Sequence, residues 1–114
     1  MGILDKIQAL FGSSRKFKSQ LQQGMQQANQ HKFHNAIDIY TKIIGAAKAP
    51  SDIKAMAKFN RALAYSSMSD YASAEKELRI IVADPEVPAN VKSAAQEKLT
   101  RYEKLKDISE PDLE

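Results

Sequence analysis

Apolar residues along this chain recur every three or four positions, and short polar stretches interrupt them at regular intervals. Phe17, Leu21, Gly24 and Ala28 keep helical spacing, the pattern pauses over residues 30–32, and it resumes with Phe33, Ala36, Ile37, Tyr40, Ile43, Ile44 and Ala47. A second such pair follows. Ile53, Met56, Phe59, Ala62 and Leu63 predict one helix, and Tyr71, Ala74, Leu78, Ile81 and Val82 predict the next. Ser51 or Asp52 after Pro50 reads as an N-cap, and Asp84-Pro85 as the end of the second hairpin. Beyond Pro88, a last helix carries Val91, Ala95, Leu99, Tyr102 and Leu105 on one face.

The two pairs are copies of one unit. Sliding the chain by 74 − 36 = 38 positions sets Leu21 on Phe59, Gly24 on Ala62, Met25 on Leu63 and Phe33 on Tyr71. The same shift sets Ala36 on Ala74, Tyr40 on Leu78, Ile43 on Ile81 and Ile44 on Val82. Small residues meet small ones and large apolar residues meet large ones. A small residue in the first helix and an alanine in the second allow two helices to approach closely. The aromatic at the turn, and the large residue four after the alanine, fill the space around that contact.

The run Gly24, Phe33, Ala36, Tyr40 is similar to the tetratricopeptide signature. The second run, Asn60-Arg61-Ala62-Leu63-Ala64-Tyr65 followed by Asp70-Tyr71 and Ala74, resembles it more closely. The resemblance covers roughly residues 17–86. It implies an all-α fold of antiparallel helical hairpins, stacked as a short right-handed superhelix with a C-terminal capping helix. There are departures. The family repeats at about 34 residues, so extra residues sit around Gly45 to Asp52. His31 and Ser69 stand where a turn glycine is usual, and Gln27 replaces an aromatic. With two hairpins only, the exposed end of the array needs the last helix, and a partner or second copy, to cover it.

The resemblance also implies a function, protein–protein interaction through a concave face lined by the first helix of each hairpin. Carried over, the partner-binding groove is Leu21, Met25 and Asn29 with Lys18 and Ala28 beside them, then Met56, Phe59, Asn60, Leu63 and Ser67 with Ser66. It is largely apolar, and methionines suit an adaptable apolar surface. Asn60 matches one position of the family's carboxylate clamp, but Leu21 and Met25 stand where that clamp needs a lysine and an asparagine. Gripping a C-terminal carboxylate is therefore not expected. The bland alternative is that these side chains pack between neighbouring helices.

Residues 2–11 read as a separate short amphipathic helix. Ile3, Leu4, Ile7, Leu10 and Phe11 fall on one arc, with Asp5, Lys6 and Gln8 off it. Gly12-Ser13-Ser14 reads as a flexible joint, followed by the basic Arg15, Lys16 and Lys18. The domain plan is thus 1–14 helix and joint, 15–107 repeat domain, and 108–114 acidic flexible tail. Three destinations are open to the apolar arc: an anionic membrane surface, the groove of this or another copy, or the back of the repeats. The first makes Ile3, Leu4, Ile7, Leu10, Phe11, Arg15, Lys16 and Lys18 the contact residues.

Composition narrows the classes. The 114 residues suffice for one domain, and no apolar run approaches the roughly 20 residues of a membrane span. No secretory leader is recognisable and there is no cysteine, so disulfides and thiolate chemistry are absent and a cytoplasmic location, with peripheral membrane attachment, is the expectation. His31 and His34 have no acid or cysteine nearby to complete a metal site, and Glu75 and Glu77 read as a solvated helix face. No phosphate loop or activated nucleophile appears, so neither an enzyme nor a cofactor is expected. The net charge of +3 leaves a small basic nucleic-acid-binding protein as the alternative. That reading fits poorly, because only Phe17 offers an aromatic within the basic cluster.

Overall fold

The structure, a computed structural model, describes the backbone of residues 3–109 and the side chains of residues 14–107. The described residues form five helices: α1 Ile3–Asn29, α2 Phe33–Gly45, α3 Ser51–Ser67, α4 Tyr71–Ala83 and α5 Ala89–Ser109. Each packs against the next in chain order, and α1 and α5 also touch α3. The fold is a stack of helical hairpins, α1 with α2 and α3 with α4, ended by α5.

Close contact between the helices of each hairpin rests on the expected small residues. Ala36 and Ala74 are completely buried, and so is Ala62 within about one per cent. Gly24 lies so close to the Tyr40 ring that a β-carbon there would sit 2.5 Å from Cε1 and 3.0 Å from Cδ1. Around these contacts lie two cores. Phe17, Leu21, Tyr40, Ile43, Ile53 and Ala57 fill the first, and Ala55, Leu78, Ile81, Val91, Ala95 and Leu99 the second. Each fully buried large aliphatic side chain contributes about 1.5–3 kcal/mol.

The turns repeat as faithfully as the helices. His31 and Ser69 adopt left-handed φ values of 62° and 64°. At the first turn the His31 N–H donates to Ala28 O and the Lys32 N–H to Gln27 O. At the second, Ser69 donates to Ser66 O and Asp70 to Tyr65 O. This is the six-to-one pattern that closes a helix on a left-handed residue, a place where glycine is cheapest. The connections between hairpins repeat too. Ala46 donates to Ile43 O, Ala49 to Ala46 O and Lys54 to Pro50 O, and 38 residues on Asp84, Val87 and Lys92 do the same with Ile81, Asp84 and Pro88. By this register α5 corresponds to the first helix of a third unit.

Several expectations are corrected. Pro50 is the N-cap of α3, with Ser51 and Asp52 inside its first turn, and Asp52 accepts from the Ile53 N–H. Asp70, by contrast, caps α4 through its side chain to the Ser73 N–H. The helix α1 runs unbroken through Gly12-Ser13-Ser14. One glycine in a helix costs only about 1 kcal/mol, whereas breaking the helix would require nucleating a second short one. The side chains of Ile3, Leu4, Ile7, Leu10 and Phe11 lie outside the described residues, as does most of the acidic 108–114 segment, although α5 reaches Ser109. Leu105, expected on the buried face of the last helix, is 54 % exposed.

Glu77 is no solvated surface acid. Only 7 % exposed, it accepts from Arg61 Nε at 2.9 Å and Nη2 at 2.7 Å. Arg61 Nη1 also donates to Thr41 Oγ1, so one guanidinium ties α3 to both α4 and α2. The fork geometry satisfies both carboxylate oxygens, which is what a buried ion pair needs. Glu75 pairs with Lys106 of α5 at 2.7 Å.

Gly24→Ala tests the close contact. The substitution favours the helix by about 1 kcal/mol. Its β-carbon meets a ring that is 1 % exposed, and overpacking costs about 1–3 kcal/mol. A lower midpoint in chemical denaturation is expected; an unchanged or higher one would refute the contact.

Candidate partner-binding site

Between α1 and α3, on the side where the first helices of the two hairpins face each other, lies an open hollow of about 210 Å³. Met25, Ala28 and Asn29 line it from α1, Phe33 and Tyr40 from α2, and Asn60, Leu63, Ala64 and Ser67 from α3. No ionisable acid or base is among them save the Tyr40 phenol, which burial pushes above its usual value of 10.0 and so keeps neutral. The rim is polar but largely occupied. The Asn60 side-chain amide donates to Met56 O at 2.9 Å, and the Ser67 hydroxyl donates to Leu63 O at 3.0 Å. An uncharged floor with a few amide and hydroxyl groups at the edge holds apolar groups and rejects ions, because a charge placed there would lose its water without gaining a counter-ion.

The expected groove is thus partly assembled. Met25, Asn29, Asn60, Leu63 and Ser67 come together around the hollow. Leu21 does not: at 5 % exposure it belongs to the first core with Phe17 and Tyr40, because it lies one turn after Phe17 on the stripe that faces α2. Phe59 packs half-buried on the second core. Met56 is 41 % exposed and lies outside the hollow's lining, contributing its carbonyl to Asn60. Lys18 is exposed, and Ser66 accepts a hydrogen bond from the Tyr102 hydroxyl at 2.7 Å. Sequence reasoning missed Phe33, Tyr40 and Ala64. The signal for the first two was their register with Tyr71 and Leu78, but those positions were assigned wholly to filling the hairpin.

Of the basic residues singled out near the N-terminus, Arg15, Lys16 and Lys18 are all exposed on α1, and the Lys16 ammonium stands 5.9 Å from the centre of the buried Phe17 ring. His31 closes α1 in its left-handed conformation and meets Phe33 edge-on at 5.6 Å, while His34 is exposed in the first turn of α2. Among the described residues, no cluster of three or more His, Asp or Glu side chains is placed to hold a metal ion, and no helix is long and apolar enough to cross a membrane.

A larger recess of about 400 Å³ lies against α4 and α5, lined by Tyr71, Ala72, Glu75, Lys76, Arg79 and Lys106. Its central acid, Glu75, is already engaged by Lys106 and, at 3.8 Å, by Arg79. Searches against protein-family models, curated proteins and solved structures found no match.

The contrast between Leu21 and Met25 gives a direct test of which side chains face the hollow. Leu21→Glu places a carboxylate in the first core and should unfold the protein or cost several kcal/mol. Met25→Glu, at a position 40 % exposed, should shift stability by less than about 1 kcal/mol. Urea denaturation of both variants decides it, and equal losses would show that Met25 is core as well.

Proposed function

We propose that this chain is a tetratricopeptide-type interaction module that binds another protein through the hollow between α1 and α3. The observation that carries the reading is the character of that hollow. It is open, apolar and uncharged, and it lies between the first helices of consecutive repeats. The repeated small-residue contacts and turns support the family assignment, and the fully buried Ala36 and Ala74 occupy the positions that define it. Met25 and Leu63 supply an adaptable apolar floor for a peptide or helix, and Asn29, Asn60 and Ser67 supply polar groups along its path.

The helix α1 begins well before the position that corresponds to the start of α3 (Ser13 by register with Ser51), and Arg15, Lys16 and Lys18 are exposed on it just past this extension. We propose that this end of the protein rests on an anionic membrane surface, with the groove left free for its partner. Each such basic residue contributes about 1 kcal/mol near an anionic leaflet.

Peptides selected from a random display library on the intact protein test the groove. Enriched sequences should bind Met25→Glu at least about tenfold more weakly, a loss of about 1.4 kcal/mol. They should bind Lys42→Glu, at an exposed position on α2, as they bind the parent. Undiminished binding to Met25→Glu would move the site elsewhere.

Vesicles of phosphatidylserine and phosphatidylcholine test the membrane contact. The double variant Lys16→Glu/Lys18→Glu should lose more than about tenfold in vesicle affinity at low salt without losing stability. Parent protein that ignores the vesicles would end the membrane reading and leave the groove untouched.

A further inference from the structure

The repeat contains its own control for what belongs in the hollow. Shifted by 38 residues, the lining residues Ala28, Phe33 and Ala64 correspond to Ser66, Tyr71 and Tyr102. In that second interval the space is taken. The Tyr102 hydroxyl donates to Ser66 Oγ at 2.7 Å, and the Tyr102 ring meets Tyr71 at 6.0 Å between centroids with planes 68° apart. A ring from the third unit therefore sits between the helices α3 and α5. In the first interval the same position is Ala64, only 2 % exposed in the lining of the 210 Å³ hollow, with no ring to fill it.

We propose that the hollow is a receptor for one aromatic side chain of a protein partner, which takes the place between α1 and α3 that Tyr102 takes between α3 and α5. This rests on the reading that the face binds protein, and names the anchor it accepts. At about 210 Å³ the hollow is large enough to take one ring. Phe33 stands where Tyr71 stands, ready to meet a ring edge to face. The Met25 thioether, absent from the second interval where Leu63 takes its position, adds a sulfur at the mouth that favours aromatic over aliphatic contact. The Asn60 amide nitrogen is committed to Met56 O, which leaves its side-chain oxygen as the acceptor for a phenol or indole donor at the rim. No charged side chain of the lining competes for the anchor.

The test uses the full chain and p-cresol, the isolated tyrosine side chain, followed by amide chemical shifts, with toluene and isoamyl alcohol as comparisons. Saturable shifts from p-cresol and toluene in residues 25–33 and 60–67, with none in residues 98–105, are expected, and isoamyl alcohol should bind more weakly. Ala64→Tyr places the missing ring within the chain and should abolish the shifts. If that variant does not fold, Ala28→Leu blocks the hollow from its half-buried side with the same expected loss. Isoamyl alcohol binding as well as p-cresol would overturn the aromatic anchor while leaving the groove reading intact. So would display peptides that need Met25 but contain no aromatic residue. No saturable shift from any probe, together with peptides indifferent to Met25→Glu, would overturn both.

Discussion

Everything in this fold depends on how close two helices can come where neither carries a large side chain. Gly24 and Ala62 on the first helices, and Ala36 and Ala74 on the second, remove the bulk that would hold the hairpins apart. Large residues one turn further on, Tyr40 and Leu78, then seal the edges of each contact and are themselves almost wholly buried. That separation is too small for a loose loop, so the chain must reverse within three residues. It does so by forcing His31 and Ser69 into a left-handed conformation that neither prefers. The same turn, bonded to the corresponding carbonyls, closes both α1 and α3. Regular stacking is the consequence of local closeness, not a separate feature.

The two intervals of the stack are nevertheless unequal, and the inequality is chemical. Between the later elements, Arg61 grips Glu77 and reaches Thr41, Tyr102 bonds Ser66, and Lys106 meets Glu75. At the positions that precede Arg61 and Glu77 by one repeat stand Gln23 and Ile39, which cannot form such a pair. Burying a charge pair is close to neutral for stability, but it admits few alternative packings. The second interval is therefore closed by a ring and a set of polar bonds, while the first keeps an open hollow. A protein that must both stay folded and receive a partner can divide these tasks between neighbouring repeats.

Most of the architecture was legible from spacing, because helix periodicity and a 38-residue register survive in the apolar residues alone. What failed to read did so for definite reasons. Leu21 and Met25 both lie on the apolar side of α1, yet four residues of helix turn carry one into the core and leave the other 40 % exposed. Glu77 looked like a solvated acid since its partner Arg61 is sixteen residues away, on another helix. Gly12-Ser13-Ser14 has the composition of a joint, but local preference of about 1 kcal/mol yields to helix continuity. The hollow was half visible: its rim follows from the first helices, while Phe33, Tyr40 and Ala64 required knowing how far the hairpin packing leaves space unfilled.

The two outer helices of the described stack differ from the inner ones in what they carry on their outward faces. Helix α5 enters as the first helix of a third unit, so a second helix would be expected to pack on it. Its sequence refuses one. Where α3 presents Ala55, Phe59 and Ala62 to α4, α5 carries Ser93, Glu97 and Thr100, and all three are exposed. The inner face keeps Val91, Ala95 and Leu99 buried, so the helix is apolar toward the stack and polar away from it. On the opposite end, Lys18, Gln22 and Gln26 give α1 an exposed polar stripe over residues 14–29. Over the described side chains, both outer helices thus turn polar residues away from the stack. Among the described residues the large apolar side chains left exposed are Met25 at the hollow and Met56, Tyr71, Ile80 and Leu105 elsewhere, so what sets the hollow apart is its uncharged recessed shape and not a monopoly of apolar surface.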